Sequence, residues 1–291
     1  MANSRKKNSV TIAILKLKSL DELKSQLEHM RSVLEELPVS YRKRIDVFVS
    51  DNFSCDGSNE VLENFSLQVN WLKYHVHSKR VLYDNNVLTP YSLSSSDYVW
   101  ILAIDDLIGN AGILKDMLDL LDEYEPTGIN CSTTSDIKEI LPGIDANKVN
   151  IVTKMCEKID VILKGGKVSA NIIKRINIPQ RSELKHFVGV SYMHLSLQGW
   201  LVTKFPKKTF LTIRQALILT KQKFGDRNNY HPRYACSVIE ALAFNNLQAQ
   251  CPDRFIGLNI PGIREYKFLI NLTKLLYTSN LNAYTYIFLD F

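Results

Sequence analysis

No stretch of this 291-residue chain approaches the roughly 20 apolar residues that a membrane-crossing helix needs, and no hydrophobic leader follows Met1. The sequence therefore predicts a cytoplasmic protein that would meet any lipid-borne substrate from the inner face of the cell membrane. Cysteine is scarce: Cys55, Cys131, Cys156, Cys236 and Cys251 are an odd, widely spaced set with no CxxC pair. That argues against a disulfide scaffold and against a zinc cluster. Also missing is a glycine-rich phosphate fingerprint after the first apolar run, where Leu15-Lys16-Leu17-Lys18-Ser19 stands instead. That argues against a conventional dinucleotide-binding dehydrogenase. Lys164-Gly165-Gly166-Lys167 lacks the spacing of a Walker loop and reads as a tight turn between strands. The net charge of +6 comes from 36 basic against 30 acidic residues, without an aromatic-basic repeat, so no nucleic-acid partner is predicted. Small phosphorylated ligands or membrane head groups account for the excess equally well.

What is present is an alternation of strand-like and helix-like segments. Val10 to Leu15 is a β-branched apolar run suited to a strand buried on both faces. Ser19 and Glu22 form a capping-box pair, and Leu20, Leu23, Leu27, Met30, Leu34 and Leu37 then recur at helical steps until Pro38. Further strands are predicted at Ile45 to Val49, Trp71 to Val76 and Tyr98 to Ile104, with a short helix from Glu60 to Phe65. Asn110 should cap a helix whose inner stripe is Leu114, Met117, Leu118 and Leu121. This rhythm implies parallel strands with right-handed crossovers. Beyond it, Gly128 to Cys131 and Val168 to Lys174 read as strands, and Tyr192 to Thr220 mixes helical and extended signals. The aromatic last twenty residues read as a helix or strand packed on the domain, with contact to a membrane or to a second copy in a homodimer as the alternative.

Two acidic loops stand out. Ser50-Asp51-Asn52-Phe53-Ser54-Cys55-Asp56-Gly57 ends the second strand, and Ile104-Asp105-Asp106 ends the fourth. In open parallel sheets ligands bind beyond the carboxyl ends of the strands, so both loops should face one crevice. Carboxylates gathered there repel and lose solvation unless a cation or donors are present. A hard ion, Mn²⁺ or Mg²⁺, held by one or two carboxylates plus a diphosphate would satisfy them. Taken singly, each loop could equally be a turn former or a helix cap.

Together the loops resemble those of family-2 glycosyltransferases over about residues 8 to 125. The likeness rests on Val49-Ser50-Asp51 running into the Asp56-Gly57-Ser58 loop, and on Tyr98-Val99-Trp100-Ile101-Leu102-Ala103-Ile104 entering Asp105-Asp106. Val168 to Arg175 also resembles the family's strand behind the acceptor site, especially in the enzymes of bacterial surface polysaccharide (capsule, O-antigen or lipooligosaccharide) synthesis. The resemblance implies an α/β, GT-A fold: a Rossmann-like, mostly parallel central sheet with helices on both faces and a less regular C-terminal acceptor region. The implied division is a nucleotide-sugar-binding subdomain at 8–125, the rest of the core with the acceptor side at 126–230, and a packed tail at 231–291. It further implies metal-dependent transfer of a sugar from a nucleoside diphosphate, UDP favoured, to a hydroxyl of a glycan or lipid-linked glycan, with inversion. By that likeness Asp51 accepts from N3 of a uracil-type base, Asp105 meets the ribose or sugar, and Asp106 binds the metal. Lys79, Arg80 and Asn85 or Asn86 stand where the family carries donor-facing residues, and Arg80 suits pairing with a diphosphate.

The sequence departs from the family pattern at Lys16-Leu17-Lys18 and in lacking the usual Glu-Asp pair after residue 170. An inverting transfer needs a base within reach of the acceptor hydroxyl. Glu183, in a polar loop, and His194, in an apolar setting, are the candidates; His194 could also be a core histidine or complete a metal shell. His231 is the other candidate metal ligand. Competing readings are a nucleotidyltransferase that makes a nucleotide-sugar, and an inactive scaffold of the same fold.

Overall fold

The computed structural model describes residues 7–164, 167–175 and 193–221. Four strands build the first half of the sheet: β1 (Val10–Lys16), β2 (Ile45–Asp51), β3 (Leu72–Val76) and β4 (Tyr98–Ala103). They lie parallel in the order β3-β2-β1-β4. The helices between them are α1 (Leu20–Glu35), the short α2 (Val39–Arg42), α3 (Ser58–Ser66) and α4 (Tyr83–Leu93). Beyond β4 the chain adds β5 (Asp106–Ile108), α5 (Ala111–Tyr124), β6 (Gly128–Thr134), β7 (Val149–Val152), α6 (Met155–Lys164), β8 (Asn171–Lys174), α7 (Met193–Lys204) and β9 (Phe210–Thr220). The sheet continues from β4 as β8-β6-β9-β5, with β7 also paired to β9. Here β8 runs antiparallel to both β4 and β6, while β6 and β9 are parallel.

The two-residue period of β1 divides the core. Ile12 and Ile14 point to the face covered by α1, α3 and α5, where Leu23, Leu27, Met30, Leu62, Leu114 and Met117 are buried with them. Ala13 and Leu15 point to the other face, where Val87, Leu88 and Tyr91 of α4 and Met193, Leu197 and Leu201 of α7 close the layer. Helices therefore cover both sides, as expected from strands that carry almost no polar residues.

Local departures from the sequence reading have physical causes. Ser19 does not close a capping box: its backbone is left-handed (φ 68°) and its side chain caps nothing, so only its carbonyl serves Leu23 N at 3.1 Å. Asn110 does cap, accepting from Ile113 N at 3.0 Å. The helix α4 was hidden by Asp84-Asn85-Asn86 and by Pro90 in its interior, all of which read locally as loop. Val168–Ala170 forms a 3₁₀ turn, and only Asn171–Lys174 of the expected strand is extended. Lys164 closes the helix α6, so the Lys164–Lys167 stretch follows a helix and not a strand. Cys55 and Cys131 are free thiols and burial pushes Cys131 up to about 12, whereas Cys156 is disulfide-bonded, one cross-link where the sequence suggested none.

Candidate functional site

Register places the acidic loops at the same edge of the sheet. Lys16, the last residue of β1, lies opposite Asp51, the last of β2. On the other side of β1, Leu15 lies opposite Ala103, two residues before Asp105. With strands about 4.8 Å apart, the ends of β2 and β4 are separated by about 10 Å, with β1 between them.

Asp51 is 1% exposed. One of its oxygens accepts from Ser54 N at 3.0 Å and from the Ser54 hydroxyl, and the other lies 3.7 Å from Lys16 Nζ. Lys16 is itself fully buried, and its ammonium donates to both oxygens of Asp56 at 3.3 and 3.2 Å. Burial alone would raise the Asp56 carboxyl, but the Ser58 hydroxyl and the Lys16 ammonium outweigh it and hold it below the usual carboxylate range. One buried cation thus serves two carboxylates.

The loops around this group are stitched to one another. Asn52 donates to Val81 O at 2.9 Å and accepts from Val81 N at 2.7 Å, which fixes the segment after β3 against the end of β2. Lys18 N donates to Ser54 Oγ at 2.9 Å and His77 N to Asp51 O at 2.9 Å. Lys18, Ser19, Phe53 and Cys55 all have positive φ, so among the described residues the non-glycine positions in the left-handed region concentrate here, with Glu125 elsewhere. Such conformations cost about 1 kcal/mol or more each and persist where surrounding contacts impose them.

Asp105 and Asp106 differ sharply. Asp105 sits half-buried in the turn between β4 and β5, and its carboxylate engages no described residue. Asp106 is 2% exposed at the start of β5. Its carboxylate receives Lys167 Nζ at 3.1 Å and the Ser169 hydroxyl at 2.5 Å, while its carbonyl accepts from Gln26 Nε2 of α1 at 3.0 Å. Ser169 in turn accepts from Ala103 N at 3.0 Å, so the end of β4 is bound to the same network.

Of the other residues expected at the site, Lys79 and Arg80 are exposed in the loop between β3 and α4, and Asn85 is half-buried in the first turn of α4. Asn86 is buried and accepts from Ser50 Oγ at 2.6 Å. These residues leave from the edge that carries Asp51, Asp105 and Asp106. His194 is on α7 and only 1% exposed. Glu183 and His231 lie outside the described residues, and among the described residues no three His, Cys, Asp or Glu side chains converge as a metal cluster. Sequence reasoning missed Lys16, Lys167 and Ser169. A lysine closing an otherwise apolar buried strand was the available signal for Lys16, since such a charge demands an anionic partner.

No family model matches the chain. An 81-residue stretch is 33% identical to abequosyltransferase RfbV of Salmonella typhimurium, covering 28% of this chain and 23% of that protein. Among solved structures, S. aureus TarS (residues 1–349, in complex with UDP) superposes with a TM-score of 0.58 at 14% identity, over 82% of this chain and 65% of that one. The mannosyltransferase PcManGT of Pyrobaculum calidifontis, in complex with GDP-Man and Mn²⁺, gives 0.56 at 13% identity, over 82% and 64%. The chain thus spans under a quarter of the curated relative and just under two thirds of these two structures. At such identities the likeness establishes the fold, which is the GT-A glycosyltransferase architecture expected from the acidic strand ends.

Proposed function

We propose that the protein is a metal-dependent glycosyltransferase that takes a sugar from a nucleoside diphosphate, UDP favoured, and passes it with inversion to a hydroxyl of a surface glycan or its lipid-linked precursor. The observation that carries this reading is the pairing of Asp51, buried and ion-paired, with the unengaged carboxylate of Asp105 at the carboxyl ends of strands flanking β1. The relatives support it: one is a curated abequosyltransferase, and two structural neighbours hold UDP or GDP-Man.

The donor set fits a hard divalent ion. One free carboxylate is enough when a diphosphate supplies further oxygens, and Asp105 offers it. Asp106 is already matched by Lys167 and Ser169, so in this reading it positions the β4–β5 turn while Asp105 takes the ion, the reverse of the division implied by the sequence likeness. A bound Mn²⁺ or Mg²⁺ would offset the charge that grows on the departing diphosphate. Asp51 holds the base by accepting a ring N–H, Phe53, 44% exposed, offers an aromatic face at the rim, and Lys79 with Arg80 supplies positive charge beside the phosphates.

For the base, burial argues against His194, because an imidazole that is 1% exposed offers little access to an acceptor hydroxyl. Glu183 takes that role in the proposal. Glu183→Gln is expected to lower kcat by about 10²- to 10³-fold with donor affinity unchanged, while His194→Gln changes stability more than rate. Steady-state kinetics beside donor titration checks it, and the opposite pattern moves the role to His194.

The reading as a whole is tested by melting curves with UDP-, GDP- and CDP-sugars, with and without Mn²⁺. At a hundredfold excess over Kd one donor class should stabilise the fold by about 2.7 kcal/mol, a shift of several degrees. The same donor should release its nucleoside diphosphate in the presence of Mn²⁺. Equal responses to all nucleotides, or none, would count against the proposal.

A further inference from the structure

We propose that Lys16 sets the base selectivity of the site, as a positioning residue that holds Asp51 aimed as a hydrogen-bond acceptor; the inference rests on the assignment of Asp51 to the nucleotide base. Lys16 is fully buried, and a buried ammonium is stable only with anionic partners. It has two, both oxygens of Asp56 within 3.3 Å and Asp51 Oδ2 at 3.7 Å. The unequal distances define its role. Asp56 takes the direct hydrogen bonds and anchors the ammonium, whereas Asp51 receives its charge without giving up the lone pairs of Oδ2.

The other Asp51 oxygen is already filled by the amide and hydroxyl of Ser54. Oδ2 is therefore the atom left to meet a ligand, and an ionised carboxylate can only accept. It suits a base that presents a ring N–H, as uracil does at N3, and it opposes cytosine, whose N3 is an acceptor. These two pyrimidines have the same shape and stacking surface, so the discrimination falls on this one contact. A site built to hydrogen-bond a group rejects the isostere that leaves it unmatched far more strongly than shape alone can.

Without the ammonium, the buried Asp51 and the partly exposed Asp56, 23% accessible at its side chain, are left as like charges around one vacated position. Repulsion would then turn Asp51 Oδ2 from the position in which it accepts from uracil N3, which erodes the preference for uracil. Arginine in place of Lys16 keeps the charge, and Asp56→Asn removes one anion while leaving Lys16 to Asp51.

Calorimetric titration of the full chain with UDP and with CDP, in the presence of Mn²⁺, tests this. Wild type should prefer UDP by about tenfold or more, and Lys16→Met should bring the ratio of the two affinities close to one. Lys16→Arg and Asp56→Asn should keep the wild-type preference, and Asp51→Asn should lose it. A folded Lys16→Met protein that retains the full UDP preference overturns the role of Lys16 while leaving the Asp51 assignment in place. If Lys16→Met does not fold, loss of the preference in both Lys16→Arg and Asp56→Asn overturns it equally. A wild type that does not distinguish UDP from CDP, or an Asp51→Asn variant that does so as before, removes the underlying reading as well.

Discussion

Asp105→Asn is expected to abolish the Mn²⁺-dependent part of donor stabilisation and to lower the transfer rate by about 10²- to 10³-fold, with the melting temperature of the free protein nearly unchanged. The expectation follows from the different surroundings of the two neighbouring aspartates. The Asp105 carboxylate makes no hydrogen bond or ion pair with the described residues, so neutralising it removes no polar interaction among them. It does remove an anionic oxygen pair that is unengaged among the described residues at the end of β4, and a bound ion would lose its protein anchor there. Asp106→Asn should behave in the opposite sense. The fold loses an ion pair with Lys167 and a charge-assisted bond from Ser169, while the Asp105 oxygens remain available. Mn²⁺ titration followed by electron paramagnetic resonance, run beside thermal melts of both variants, separates the two roles. An Asp105→Asn protein that binds Mn²⁺ and donor like wild type, next to an Asp106→Asn protein that melts normally but has lost the ion, would transfer the metal to Asp106.

The strands and amphipathic helices of the first half of the fold were readable from sequence because one periodicity dominated each of them. Ile12 and Ile14 alternate with Ala13 and Leu15, and the Leu23, Leu27, Met30 and Leu34 stripe of α1 keeps to one face. The helix α4 was not readable, because both its polar start and Pro90 favour loops and its burial comes from tertiary packing of Val87, Leu88 and Tyr91. The strand order beyond β4 was equally out of reach. Inserting β8 antiparallel between β4 and β6 depends on contacts some 70 residues apart, such as Trp100 opposite Ile172, which leave no local pattern. Within the site, Asp51, Asp105 and Asp106 were identifiable as acidic residues at strand ends. The ion-pair partners of Asp51 and Asp106 were not: Lys16 and Lys167 reach them from positions distant in the chain, and a sequence shows a lysine without showing which carboxylate it will meet.

That hidden pairing leads to the second large effect. Lys167→Met is expected to destabilise the fold by about 3 kcal/mol, because it leaves Asp106 buried at 2% exposure with no cation beside it. The Ser169 hydroxyl remains as a donor and keeps the loss from being larger. The strain would fall on the sheet itself, since Ser169 also accepts from Ala103 N and its carbonyl accepts from Trp100 Nε1 at 2.9 Å. Gln26 extends the network to α1 by donating to Asp106 O. A charge left unmatched at this junction therefore disturbs the end of β4 and the helix α1 that packs over it at once. Combining Lys167→Met with Asp106→Asn removes both charges, and the double variant should recover most of the loss, giving a coupling of about 2 kcal/mol in a double-mutant cycle. Denaturant midpoints at constant m-value provide the measurement. Additive losses would mean that Lys167 and Asp106 stabilise the fold independently, and the turn that presents Asp105 would then be held by Ser169, Gln26 and the β5–β9 pairing without help from the ion pair.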